Sequence, residues 1–319
     1  MTAPLAIVGN LNVDLWVAPV TRMPARDEEV IVDSARLELA GTAGYMAHAC
    51  RVVGIEPRVV STIGDDAFGR ATLDGMAAIG APTAGVEVVP GEETSLGIVL
   101  IAPDGSRGLL STLGAHRFMD VEVARRHDAS VAPCAEVMLC GTYLLPRFGP
   151  ADVLGYAAAL RARGQLVAFD PSWDPAGWPP ATRQATYALL GETDVFLPNE
   201  EELRQLTGAR TLAAAVDAVV ARAGEVVVKR GREGALWASG SERVHAAALP
   251  VTAVNTIGAG DIFDIGYLWA RRQGWEPARR LRFAQALAAV VIAQPGARVY
   301  PALASVLTLA GEAGGEVPG

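Results

Sequence analysis

The chain has 319 residues, 51% of them hydrophobic and 19% charged. That excludes a disordered chain and allows one large core or two smaller ones. A formal net charge of -8 argues against nucleic acid or an anionic membrane as the main partner. The three cysteines, Cys50, Cys134 and Cys140, lack metal-ligand spacing and fit a reduced, cytoplasmic setting. The stretch from Met1 to Asp14 has no basic region leading into a long apolar one, so no signal peptide is read. No apolar run reaches the roughly 18 residues that a membrane span needs.

In chain order, Leu5–Val8 reads as a buried strand and Val30–Leu39 as an alternating one. A helical pattern covers Ala43–Val53, a strand Val59–Ile63 and a helix Phe68–Ile79. Thr83–Ser111 is rich in β-formers without helical interruption, around the turn Pro103-Asp104-Gly105. Glu136–Leu139, Val167–Phe169, Val195–Leu197 and Val226–Lys229 are short apolar runs of buried-strand type. Helical patterns at Asp152–Arg163, Glu200–Thr207 and Leu212–Ala223 lie among them. A β-like run, Val251–Val254, precedes two more helices, Asp261–Arg272 and Pro277–Ala293, and the tail after Leu309 carries no functional signal. The alternation predicts an α/β fold, with a mostly parallel central sheet and helices on both faces. The helix-free runs predict a small β-sheet lid, drawn from about 15–40 and 83–115, on a single domain spanning 1–319. Its exposed face is expected to close over substrate or to pair with a second subunit as a homodimer.

Lys229 is the only lysine, so any Schiff-base or phosphate-binding lysine must be that one. The phosphate-loop pattern G-x-x-x-x-G-K-[ST] and the protein-kinase motifs are absent. The most informative stretch is Asn255-Thr256-Ile257-Gly258-Ala259-Gly260-Asp261, small residues opening a helix. Backbone N–H groups at such a start point at an anion. Asp261 is then either a helix cap or a general base beside a phosphate in transfer. Asn199 and Glu202, three apart, read equally as a capping box. Gly231 and Gly234 read as an ordinary hairpin turn. His48, His116, His127 and His245 show no ligand spacing, and Asp264 is left with a structural role.

Asn255–Asp261 closely resembles the D-T-x-G-A-G-D signature of the ribokinase-like (PfkB) family of carbohydrate and nucleoside kinases. Other motifs resemble that family in order, from about Leu5 to about Pro301. They are Gly9-Asn10-Leu11-Asn12-Val13-Asp14, Ala40-Gly41-Thr42-Ala43-Gly44-Tyr45-Met46-Ala47, Gly64-Asp65-Asp66-Ala67-Phe68-Gly69 and Leu113-Gly114-Ala115. Asp170-Pro171, Asn199-Glu200-Glu201-Glu202 and Lys229-Arg230-Gly231-Arg232-Glu233-Gly234-Ala235 complete the series. The resemblance implies an enzyme that moves the ATP γ-phosphoryl to a hydroxyl of a sugar or sugar derivative, with a nucleoside or a catalytically degenerate metabolite binder as alternatives. It implies Asp261 as base and the N–H groups of Gly258, Ala259 and Gly260 as anion hole. Asn199 and Glu202 would orient Mg²⁺ through water. Asn199, Lys229, Gly231 and Gly234 would lie along ATP. Asn12, Asp14, Gly41, Thr42 and Tyr45 would bind the acceptor.

Four positions depart from the family pattern. Ala40 replaces a glycine of the substrate loop, and Tyr45 replaces its asparagine. Asp27 falls where many members carry Pro-Gly-Glu. Asn255 replaces the leading aspartate, which removes a formal charge from any monovalent-cation site, so potassium activation is expected to be weak or absent.

Overall fold

The computed structural model describes residues 2–104, 106–252, 254–293 and 300–311. Strands β1–β7 are Thr2–Gly9, Asn12–Ala18, Ser34–Ala40, Ile55–Gly64, Val86–Val89, Leu96–Ile101 and Arg107–Ser111. Strands β8–β13 are Glu136–Cys140, Leu166–Asp170, Val195–Phe196, Glu225–Lys229, Ala235–Ser239 and Glu242–Ala246. Helices α1–α5 are Gly41–Val52, Ala67–Ala78, Val121–Arg126, Asp128–Val131 and Pro150–Ala162. Helices α6–α11 are Pro180–Leu190, Glu200–Thr207, Leu212–Val219, Ala259–Arg272, Pro277–Ile292 and Leu303–Ala310.

Nine strands form one sheet in the order β13-β12-β11-β10-β9-β8-β1-β4-β5. Pairing is parallel from β5 across to β11 and antiparallel for β11–β12 and β12–β13. Leu5 to Val8 are all fully buried because both sides of the sheet are covered. The side chains alternate between two cores. Leu5 and Ile7 pack with α1, α9 and α10, whereas Ala6 and Val8 pack with α5, α6, α7 and α8. The sheet with helices on both faces is therefore the predicted architecture.

A second sheet, ordered β3-β2-β6-β7, stands apart from the first. It is mixed, since β2 pairs antiparallel with β3 but parallel with β6, and β6 with β7 antiparallel. The lid expectation requires two corrections. β2 starts at Asn12, so the segment expected to bind substrate is itself a strand of the small sheet. β5, within the 83–115 segment, pairs with β4 and belongs to the main sheet. Gly105, at the tip of the predicted β6–β7 turn, lies outside the described residues, as do 294–299 and the tail 312–319.

Other differences have local causes. Leu212–Ala223 is helical only to Val219, because the chain must turn to feed Glu225 into β11. Val251 and Thr252 form no strand, and Ala253 lies outside the described residues. The β12–β13 hairpin, α6 and α11 were not predicted. The hairpin turns at Gly240-Ser241, a short Gly-Ser signal between β-prone runs.

Candidate functional site

The carboxyl ends of the parallel strands bring the site residues together, as expected for an open α/β sheet. β1 ends at Gly9, β8 at Cys140, β9 at Asp170 and β11 at Lys229. β2 then lifts Asn12 and Asp14 into the lid.

One end of the candidate site is built around Asp14, which is 6% exposed. Asn12 Nδ2 donates to Asp14 Oδ1 at 2.9 Å and to the Val13 carbonyl at 3.0 Å. The Tyr45 hydroxyl donates to Asp14 Oδ2 at 2.7 Å. Tyr45 thus reaches from α1 to β2 and uses part of the hydrogen-bond acceptor capacity of Asp14. Gly41 begins α1 at φ +76°, and a Cβ there would lie 2.5 Å from the Asn10 carbonyl oxygen and 2.7 Å from Asn12 Oδ1. Only glycine allows this approach of the helix start to the β1–β2 link. Thr42 is buried next to it, and the Ala43 N–H donates to the Asn10 carbonyl at 3.1 Å.

At the other end Gly258, with φ 72°, takes the N-cap position of α9. Asp261 is therefore the third residue of the helix, not the one that caps it. The Ile257 N–H donates to Asn255 Oδ1 at 3.1 Å, and the Ala259 N–H turns back onto the Thr256 carbonyl at 3.2 Å. The amides of Gly258 and Gly260 carry no such backbone bond among the described residues. Asp261 is half-buried and lies near Cys140, whose thiol is pushed up by burial and by the charges of Asp261, Asp170 and Asp264.

Beneath that turn sits a buried cluster that sequence reading did not assemble. Lys229 Nζ lies 2.9 Å from Asp264 Oδ2 and 3.1 Å from Asp170 Oδ2. A Cβ on Gly260 would lie 3.5 Å from the same nitrogen. The ammonium is directed into the floor of the site, under α9, and not outward along Gly231–Gly234. Burial works against the Lys229 charge, but Asp170, Asp264 and Glu202 more than offset it and hold the lysine protonated. Burial, despite the opposing pull of Lys229, pushes the Asp264 carboxyl well above the usual range. One signal was available in the sequence: a sole lysine ending an apolar strand needs a carboxylate partner.

Asn199 and Glu202 form the reciprocal capping box of α7. The Glu202 N–H donates to Asn199 Oδ1 at 2.8 Å, and the Asn199 N–H donates to Glu202 Oε2 at 2.7 Å. Glu202 is 5% exposed, and burial followed by the Asp170 charge pushes its carboxyl up to about 7. Asn199 also bridges to Lys229 across the strand ends. Hard oxygen donors beside repelling carboxyls fit a hydrated Mg²⁺. Gly231 to Glu233 form a short 3-10 turn, closed by the Arg230 N–H on the Gly234 carbonyl at 2.9 Å.

A mostly parallel sheet covered by helices on both faces, with a separate four-stranded sheet beside it, is the fold of the ribokinase-like class. The pfkB family carbohydrate kinase model matches residues 3–303, and the chain belongs to that family. It is a phosphotransferase with an alcohol group as acceptor. The chain is 27% identical over 271 residues to a deoxyribokinase of Salmonella typhi, covering 81% of this chain and 82% of the relative. A ribokinase II candidate from E. coli, solved with ATP and Mg²⁺, superposes with a TM-score of 0.83 at 23% identity, over 96% of this chain and 98% of that one. Arabidopsis thaliana ribokinase with ribose and ATP gives 0.79 at 25% identity, over 97% and 99%.

Proposed function

We propose that the chain transfers the γ-phosphoryl of ATP to a hydroxyl of a sugar or sugar derivative, with Asp261 as the general base. The observation that carries this reading is the place of Asp261, one residue past the Gly258–Gly260 turn in the first turn of α9 and near Cys140 at the end of β8. Asp14, oriented by Asn12 and Tyr45, accepts hydrogen bonds from acceptor hydroxyls. Gly41 and Thr42 shape the wall beside it. The acceptor oxygen bonds to the γ-phosphorus as the bond to the ADP oxygen breaks, and its proton passes to the Asp261 carboxylate. The Gly258 and Gly260 amides stabilise the phosphoryl oxygens, with the Ala259 amide joining if it leaves Thr256. Mg²⁺ would be held through water by Asn199 and Glu202 and would neutralise charge on the phosphates. The turn Gly231–Gly234 borders the nucleotide.

The relatives solved with ATP and Mg²⁺ and with ribose support this choice. The reading treats 1–319 as one lidded unit in the cytoplasm. Among the described residues no helix is long and apolar enough to cross a membrane, and all three cysteines are free and buried.

The test is phosphorylated product by mass spectrometry across sugars, sugar phosphates and nucleosides, for the wild type and Asp261→Asn. Turnover should fall by about 10²–10⁴-fold in the variant while ATP binding is retained. Transfer that survives the substitution refutes Asp261 as base. Product with nucleosides alone replaces the sugar, and a wild type inert toward every acceptor supports a metabolite binder.

A further inference from the structure

Lys229, the sole lysine, is held beneath the site by two carboxylates, so any other long cationic side chain that reaches the phosphates must be an arginine. One arginine of the lid is placed to do so. Arg107, the first residue of β7, donates an N–H to Thr256 Oγ1, two residues before Gly258. It joins segments 149 positions apart, the lid and the anion-hole loop. Among the described residues its guanidinium takes part in no ion pair, and the bond to Thr256 uses one of its five N–H donors.

The register of the lid shows which way Arg107 faces. Asp14 pairs with Gly97, and Gly97 with Ser111. A Cβ on Gly97 would lie 2.2 Å from Asp14 Oδ1, so this row presents the acceptor carboxylate. Arg107 pairs with Ile101, four residues further along both strands. With a side-chain period of two, Arg107, Leu109 and Ser111 share the face of Gly97 and the buried Val99. At about 3.4 Å per residue, Arg107 stands roughly 14 Å along the lid from the Asp14 row. That offset carries it past the acceptor and over the anion-hole turn.

We propose that Arg107 is a further catalytic residue: when the lid closes, its guanidinium bridges the Gly258–Gly260 turn and the γ-phosphoryl in transit. The inference rests on the kinase reading above. Its charge stabilises the equatorial phosphoryl oxygens as the acceptor oxygen–phosphorus bond forms and the bond to ADP breaks. Asp261 takes the acceptor proton, and Arg107 neither gains nor loses one. As an exposed edge-strand residue, it can be changed without opening the core.

The test compares wild type, Arg107→Gln and Arg107→Lys in steady-state transfer and in binding of ADP with and without aluminium fluoride, a mimic of the moving phosphoryl group. Arg107→Gln should lower kcat by roughly 10²–10³-fold with little change in acceptor KM. Affinity for ADP–aluminium fluoride should fall while affinity for ADP alone holds. Arg107→Lys should keep part of the rate, and millimolar guanidinium should restore part of the rate of Arg107→Gln. Wild-type kcat in Arg107→Gln overturns the proposal, and so does equal weakening of both ADP complexes. A loss confined to acceptor KM overturns it as well and assigns Arg107 to the acceptor. A wild type without transfer to any acceptor sinks the kinase reading itself, whereas wild-type transfer with an indifferent Arg107→Gln sinks only this inference.

Discussion

Lys229→Met is the sharpest test of how the floor of the site is held. The substitution keeps most of the aliphatic stem and removes the ammonium from two carboxylates that are 4% and 0% exposed. Breaking a buried ion pair from one side costs about 3–5 kcal/mol, because the remaining charges have no partner. Here the cost depends on pH. In the wild type the folded-state lysine titrates above its unfolded value. Its stabilisation is therefore fully present below the unfolded pKa and is constant across pH 5–9. In the variant, Asp264 and Glu202 lose their counter-charge, and their folded-state carboxyls, already raised, rise further. A carboxyl raised on folding contributes stability that is present below its unfolded pKa and lost as pH rises through the folded one. At pH 5 these groups are largely protonated, and the loss should be about 1–2 kcal/mol, from hydrogen bonds and packing. At pH 9 it should approach the full 3–5 kcal/mol, a large share of a typical 5–15 kcal/mol. Urea unfolding at both pH values, followed by circular dichroism, measures the difference. An equal and small loss at pH 5 and pH 9 would show that the cluster does not depend on the ammonium.

Three further outcomes follow from the same geometry. Tyr45→Asn removes the hydroxyl on Asp14 and opens space, so the ratio of kcat/KM between two acceptors should shift by roughly 10–200-fold. An unchanged acceptor profile refutes a specificity role for Tyr45. Asn255 offers an amide oxygen, already accepting from Ile257, where the family signature has a carboxylate, so potassium at millimolar concentration should activate weakly or not at all. Strong activation relative to a bulky organic cation at equal ionic strength overturns that. Leu110, 57% exposed, lies on the lid face opposite Arg107 and supports a homodimer through the lid, a proposal that a clean monomer by light scattering would remove.

The parallel strands were legible because burial on both faces leaves apolar runs such as Leu5–Val8, and turn residues mark their ends. The lid was legible as β-structure without intervening helices, but not its edges. Val86–Val89 looks like the other short β runs of its segment, and only pairing with β4 assigns it to the main sheet. The site was legible as motifs, each local in sequence. The contacts that tune it are not local. Tyr45 reaches Asp14 across 31 residues, and Lys229 reaches Asp264 across 35 and Asp170 across 59. No periodicity encodes such pairs, and they arise only when strand ends converge.

Asn199 and Glu202 show why the choice between cap and ligand was unresolved in the sequence. The box satisfies two donors at the start of α7 with Asn199 Oδ1 and Glu202 Oε2. The other carboxylate oxygen of Glu202 is not part of it. For Glu202, capping and metal binding therefore call on different oxygens, whereas the single Asn199 Oδ1 would serve both through its two lone pairs. The cap fixes the side chain, and burial beside Asp170 keeps its carboxyl up near 7. On the proposed reading, a divalent cation arriving with the nucleotide would relieve that repulsion and favour the ionised form. The same reasoning applies to Asp261. Gly258 takes the cap position with a left-handed backbone, which puts Asp261 in the first turn of α9, at its third residue and not at the cap. An acid in the first turn is favoured by the helix dipole in any case, so the activity of Asp261→Asn, and not the position of the residue, separates the two roles.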